Sequence, residues 1–548
     1  MQHTGKLELT WVGKYKQHKI EPRILVEDRT KSYGDPASEN MLIHGDNLIA
    51  LRALQQDFAG RIKCIYCDPP YNINAANGLY DDNIANSEWL SLMGERLRLL
   101  DTLLAEDGVI LVQIDKEQSA YLKILMDEIF TRAAFVTTIA VRMSATSGFK
   151  IEHSDKTIVK NVEYIHVYSK KLELHPAYEE AEYDPHYTGI IKPIAGNKFK
   201  IFNLLQEDFV IKEFKKYQLR VNSENLAKLY KISEAFQKYV FDNMDFIGRT
   251  HTAPAGAERE RNFLTANLSD IYEVIEREYS DNRYFIKRTG SGFNQFIPIR
   301  LKFNMVDSVD GYTMKLSNIL GDWWDDFYLD MGNVDNEGAV YFKNSKKPER
   351  LLFRIFNMFT HEGDYVLDSF LGSGTTAAVA HKMGRKWIGI ELGDHAYSHC
   401  KPRLDAIVDG VDNSGISSFV HWQGGGGYHF YELGPSLLVR NKKLPIYQIN
   451  PEFTFEMLCE AICKIEGFKY APNGVFHGHS SEKRFIHVTK EFVNAAYIKS
   501  VTATLGDGQS LLIYGTKIQS DLRLPDNVEV KKIPKDLLEK CEFESEVR

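Results

Sequence analysis

The stretch Cys-Ile-Tyr-Cys-Asp-Pro-Pro-Tyr-Asn-Ile, residues 64–73, limits what this chain can fold into more than any other. The apolar residues at its head read as a buried strand. Proline has no N–H to give to a sheet, so two in a row force that strand to stop. The stop leaves an acid, Asp68, and an aromatic ring, Tyr71, at the strand's end. In 548 residues, Asp-Pro-Pro-Tyr arises by composition alone roughly a few times in a thousand. A rigid turn with Asp68 as a helix cap is the plain structural alternative.

Strand and helix patterns alternate around this stretch, from Met41 to about Tyr168. Residues 41–54 read as strand, tight turn and helix. Residues 87–108 read as an amphipathic helix with Leu90, Met93, Leu97 and Leu100 on one stripe, Ser87 as N-cap and Gly108 as terminator. The alternation predicts a parallel sheet covered on both faces. From about Lys170 to Leu320, lysine-rich helices adjoin irregular pieces such as residues 249–262 and 287–296, which predicts an inserted domain with long loops. The α/β pattern then resumes, and a C-terminal α/β portion begins near 425. The predicted division is 1–170, 171–320, 321–424 and 425–548.

A chain of this length accommodates two or three domains. Its composition, 43% hydrophobic and 26% charged, is that of an ordinary globular protein. No signal-like N-terminus is evident, and no apolar run approaches the roughly 20 residues needed to cross a bilayer. Six cysteines make no disulfide framework, so a reducing cytoplasm is expected. Cys64 and Cys67 are expected to be buried thiols and His477 and His479 part of a polar loop, with no metal site. The net charge of −8 argues against indiscriminate coating of nucleic acid. Residues 192–300 are slightly basic, with 18 Lys or Arg against 14 Asp or Glu.

A second motif lies about 300 residues further on. Residues 365–368 read as a strand ending at Asp368, followed by Phe370-Leu-Gly372-Ser-Gly374, with Thr375 and Thr376 opening a helix. Glycines let a backbone turn sharply and approach a ligand closely. The loop lacks the third glycine of a dinucleotide fingerprint and the Gly-Lys-Ser/Thr ending of a phosphate loop. It suits a small adenosine cofactor without a phosphate tail, such as S-adenosylmethionine. Glu391, at the end of the next strand, is placed to accept hydrogen bonds from ribose hydroxyls. Asp368, Phe370, Gly372, Gly374, Thr375 and Glu391 are therefore candidate cofactor-binding residues.

The exocyclic amine of adenine is a poor nucleophile because its lone pair is delocalised into the ring. A carboxylate and a fixed carbonyl, each accepting one amino hydrogen, favour a tetrahedral nitrogen aimed at an electrophilic methyl. Asp68 and the Pro69 carbonyl fit those roles, with Pro70 stiffening the turn and Tyr71 stacking on a base extruded from the duplex.

The two motifs, in this order, resemble the β class of DNA amino-methyltransferases that use S-adenosylmethionine. Within it the chain looks most like the modification subunits of Type III restriction-modification systems. The resemblance runs through residues 44–51, 67–72, 107–115, 162–170, 323–327, 337–356, 363–380, 424–433 and 530–542. It implies a Rossmann-like, circularly permuted, seven-stranded methyltransferase sheet interrupted by a target-recognition domain. It also implies that Asp46 contacts the cofactor adenine and Glu391 its ribose, that Asp68 borders the cofactor, and that Lys347 with Pro348 closes the methionine end. The implied partners are double-stranded DNA, a second copy of the chain and a helicase–nuclease restriction subunit, with no membrane. The acid at the head of Asp-Pro-Pro-Tyr favours adenine N6, since cytosine-N4 members mostly carry serine there. No cysteine follows a proline, which removes the nucleophile of cytosine-C5 enzymes. A non-catalytic DNA-binding subunit is the alternative from another class.

Overall fold

The computed structural model describes residues 8–16, 19–72, 84–145, 158–194, 198–252, 273–279, 282–289, 292–342 and 346–543. They form two compact units, one made of residues 1–175 with 321–548 and the other of 176–320.

The first unit is built on an eleven-stranded sheet. Its seven central strands are β1 (Met41–His44), β2 (Ile62–Cys67), β3 (Leu104–Ile114), β4 (Phe135–Arg142), β5 (Val162–Ser169), β6 (Tyr365–Asp368) and β7 (Lys386–Glu391). Their order across the sheet is β1-β7-β6-β2-β3-β5-β4. The strands that come last in sequence thus fill the gap between β1 and β2, which is the permuted order. Five of the seven, β1, β7, β6, β2 and β3, run parallel. All six residues of β2 are buried, as a strand covered on both faces requires. The helices α1 (Asn47–Phe58), α2 (Asn86–Leu103), α3 (Lys116–Ile129), α4 (Glu349–Phe359) and α5 (Thr375–Lys382) belong to the same unit. Leu48, Leu51, Trp89, Leu97 and Leu122 share one core with Ile65, Ile110 and Leu367.

The sheet departs from the expected one at β5, which is antiparallel to both its neighbours. The connection of 19 residues between β4 and β5 lies partly outside the described residues, and the two strands pair antiparallel. Two helix signals also resolve differently. The N-cap of α2 is Ala85, with Ser87 already in the first turn, and the helix ends at Leu103. Gly108 lies inside β3, beside a bulge in its pairing with β2, where a Cβ would sit 2.8 Å from the Ile62 carbonyl oxygen. That glycine serves a close approach of two backbones.

The strand Gly427–Leu433 pairs parallel with β1 on its outer side, so the large sheet extends past residue 425. Beyond it, a five-stranded sheet runs from Lys469–Asn473 to Val528–Lys532. His477 and His479 lie on its second strand, Phe476–Ser481, rather than in a loop. Ile24 near the N-terminus packs with Leu437, Leu458 and Ile486 in this region's core. Cys64 and Cys67 are fully buried free thiols. Among the described residues no helix is long and apolar enough to cross a membrane.

The second unit holds a closed six-stranded barrel, a three-stranded sheet and the helices Asp208–Lys216, Leu226–Ile232 and Glu234–Asp242. Tyr183, Phe214, Leu229 and Phe236 form its core. Residues 287–296, expected to be irregular, span the barrel hairpin of Asn282–Thr289 and Gly292–Pro298. Most of 249–262 lies outside the described residues.

Candidate active site

In open α/β sheets ligands bind beyond the carboxyl ends of the strands, where the winding direction reverses. Here that place is the junction of β6 and β2, paired at Val366 with Cys64 and Leu367 with Ile65. Asp368 is the last residue of β6, and Asp68 comes directly after Cys67, the last residue of β2. The Cys67 thiol lies 3.5 Å from the Ser369 hydroxyl. Two motifs about 300 residues apart in sequence thereby share one edge of the sheet.

The Asp68 side chain is 17% exposed and both its oxygens are engaged. The Tyr71 hydroxyl lies 2.7 Å from Oδ1, and the Lys347 ammonium donates to Oδ2 at 2.7 Å. Lys347, expected at the methionine end of a cofactor, has its Nζ on this carboxylate, 5.2 Å from the centre of the Tyr71 ring. The prolines are held from behind, where the Trp89 indole of α2 donates to the Pro70 carbonyl at 2.9 Å. After Tyr71 the chain turns through Asn72 at φ 51°, and the Asn72 side chain accepts from the Ile84 N–H.

Nothing in the sequence pattern pointed to Glu163, at the start of β5. Its Oε2 lies 2.8 Å from the Tyr71 hydroxyl and 3.7 Å from Lys347 Nζ, and accepts from the Gln113 amide at 2.6 Å. Because β5 is antiparallel, its N-terminal residues reach the edge where the parallel strands end. A strand read as parallel puts Glu163 at the opposite edge, which is why the pattern hid it.

Burial raises the Asp68 carboxyl above its ordinary range, and Lys347 offsets that only in part. Burial opposes charge on Glu163 too, but Lys347, Gln113 and Tyr71 together hold its carboxyl below the ordinary range. Burial also disfavours the charge on Lys347, yet its two carboxylate neighbours keep its pKa raised.

The glycine loop is shaped from within. Asp368 accepts the Phe370 N–H at 2.9 Å and the Thr376 hydroxyl at 2.6 Å. The Thr375 hydroxyl meets Arg403 at 2.8 Å behind the loop, and Arg403 also donates to Glu349 of α4 at 2.7 Å. Asp368 and Thr375 are thus buried braces of the turn. Glu391 accepts the N–H of Gly372 at 2.7 Å and of Gly393 at 2.9 Å. Gly372 and Gly374 have φ of 57° and 81°, in the region that favours glycine. A Cβ on Gly372 would make only ordinary contacts, 3.9 Å from the Phe342 ring and the Phe370 carbonyl oxygen. Asp46 caps α1 through the Leu48 N–H at 2.8 Å and lies 3.5 Å from Arg96, while Asn47 donates to the Ser369 carbonyl at 2.7 Å.

The sequence profile of a family described as DNA methylase matches residues 62–401. The chain is 34% identical over 79% of its length to the probable type III restriction-modification enzyme HindVI Mod subunit of Haemophilus influenzae, covering 59% of that protein. It is 26% identical over 69% of its length to the type III restriction-modification enzyme EcoPI Mod subunit of Escherichia phage P1, covering 61% of it. With the EcoP15I Mod subunit of Escherichia coli it shares 29% identity over 81% of its length and covers 71% of that protein. The chain thus spans about three fifths of the length of the first two relatives.

Proposed function

The chain belongs to the DNA methylase family, and from that premise we propose that it methylates N6 of a specific adenine in double-stranded DNA, as the modification subunit of a Type III restriction-modification system. One observation carries the reading: Asp68-Pro69-Pro70-Tyr71 and the loop Phe370–Gly374 meet at one carboxyl edge of the sheet, across the β2–β6 pair. The positive φ of Gly372, where a Cβ would meet other atoms no closer than 3.9 Å, suits a backbone approached by an adenosine ligand. Asp68, Glu163, Asp368 and Glu391 bring four carboxyl groups to this edge, and the Lys347 ammonium sits against two of them, in keeping with a cationic donor. When bound, S-adenosylmethionine supplies a methyl carbon on a sulfonium that leaves as a neutral thioether.

In this reading Asp68 and the Pro69 carbonyl each accept one hydrogen of the adenine amine, which turns the nitrogen lone pair toward the methyl carbon. As the N–C bond forms and the C–S bond breaks, the nitrogen gains positive charge that the Asp68 carboxylate stabilises. The surplus proton leaves that nitrogen by way of Asp68 to solvent. Tyr71 stacks on the extruded base, and Trp89 keeps the Pro-Pro turn fixed. Residues 176–320 act as the target-recognition domain. The relatives' names speak for a restriction subunit as partner, and the proposal includes a homodimer working in the cytoplasm.

Methyl-labelled S-adenosylmethionine incubated with plasmid DNA, followed by digestion to nucleosides, tests it. Label is expected in N6-methyladenine and is expected to fall by roughly 10²-fold or more in Asp68→Ala. Label in N4-methylcytosine, or none in DNA, overturns the substrate assignment.

A further inference from the structure

We propose that Glu163 is a positioning residue for methyl transfer, taking over the Tyr71 hydroxyl hydrogen and the Lys347 ammonium when the target amine reaches Asp68. The inference rests on the reading of Asp68 given above. Each Asp68 oxygen already has a donor, Tyr71 on Oδ1 and Lys347 on Oδ2. A carboxylate drawn toward an ammonium is a weakened acceptor for a neutral amine, so these donors must give way.

The geometry supplies the place for them to go. The Tyr71 hydroxyl has one hydrogen and two carboxylates in reach, Asp68 at 2.7 Å and Glu163 at 2.8 Å. Rotating that O–H bond moves the hydrogen to Glu163 and leaves the ring where stacking needs it. Lys347 Nζ is 2.7 Å from Asp68 and 3.7 Å from Glu163, so a small swing of its flexible stem transfers it. Gln113 fixes the receiving end. Its Oε1 accepts from the Tyr66 hydroxyl at 2.6 Å, so its amide hydrogens face Glu163 Oε2, also at 2.6 Å. A carboxyl addressed by an amide N–H and a phenol is held as an acceptor.

Single-turnover methylation by Glu163→Gln, at saturating S-adenosylmethionine, tests the inference. The rate is expected to fall roughly 10²-fold. Affinity for S-adenosylhomocysteine by calorimetry, and fluorescence of a base analogue at the target position, are expected to stay as in wild type. The Tyr71→Phe change keeps the ring and removes one competing donor, so in that background Glu163→Gln is expected to cost only about tenfold. A wild-type rate in Glu163→Gln overturns the inference. So does a loss that comes with weaker cofactor binding or weaker extrusion, or an equal loss in both backgrounds. If Glu163→Gln does not fold, Glu163→Asp is read against the same two backgrounds. Wild-type protein that methylates no DNA defeats the underlying function instead, a result separate from any of these.

Discussion

At the scale of single residues, the two glycines of the loop Phe370–Gly374 do different work. A Cβ on Gly372 would make ordinary contacts at 3.9 Å with the Phe342 ring, whereas one on Gly374 would sit 3.3 Å from Cys400 Cα. Gly372→Val is therefore expected to abolish S-adenosylhomocysteine binding in calorimetry while lowering stability only by the backbone strain of about 1–2 kcal/mol. Gly374→Val adds a clash with Cys400 and should lower the melting temperature further. Equal melting temperatures, or unchanged affinity in Gly372→Val, contradict this division. Asp368 gives a pH signature. Burial, reinforced by Asp68 and Glu391, pushes its carboxyl up from 3.8 to about 7 even against the hydrogen bonds it accepts. The folded chain thus holds this proton more tightly than the unfolded chain. Its contribution is greatest with the proton on, declines as pH rises from about 4 to about 7, and is level above that. Asp368→Asn should flatten that decline in ligand-free melting curves, and identical pH slopes in both proteins refute the assignment. Asp68, Tyr71 and the loop were legible because their residue types are rare together and end a strand. The internal bracing by Asp368, Thr375 and Arg403 was not, because it depends on which side of the turn each side chain faces.

At the scale of elements, sequence periodicity served where one face is buried and faltered where direction matters. The alternation foretold β1, β2, β3, β6 and β7, with their covering helices, from apolar spacing alone. It could not tell that β5 runs against its neighbours, since a strand reads the same way in either direction. That one reversal carries Glu163 to the edge that holds Asp68 and Tyr71. Gly108 misled for a related reason: a glycine near a helix end looks like a terminator, and here a bulge between β2 and β3 needs it instead. The contact between α2 and the Pro-Pro turn is a testable joint between elements. Trp89→Phe removes the indole N–H from the Pro70 carbonyl. The expected cost is about 1 kcal/mol of stability, together with a slower methyl-transfer step and unchanged cofactor affinity. Denaturant titration and single-turnover kinetics check it, and an unaltered rate would detach α2 from the catalytic turn.

At the scale of the whole molecule, the proposed chemistry and the proposed recognition fall in different compact units, with 176–320 interrupting the first. Exchanging those residues for the matching segment of a relative is expected to change the methylated DNA sequence and keep adenine N6 as the acceptor. Methylome sequencing reads this directly, and an unaltered motif would assign recognition elsewhere. Seen during synthesis, the permuted strand order has a cost in time. β1 and β2 leave the ribosome early, but the strands that lie between them end only at Glu391. At about 5–20 residues per second, β2, buried along its whole length in the finished sheet, waits on the order of tens of seconds for its β6 partner. Through that interval the nascent chain carries an unpaired edge that invites wrong neighbours. Ribosome-bound holdases, or slowed elongation, would therefore change the yield of this protein more than that of a methyltransferase whose strands emerge in spatial order.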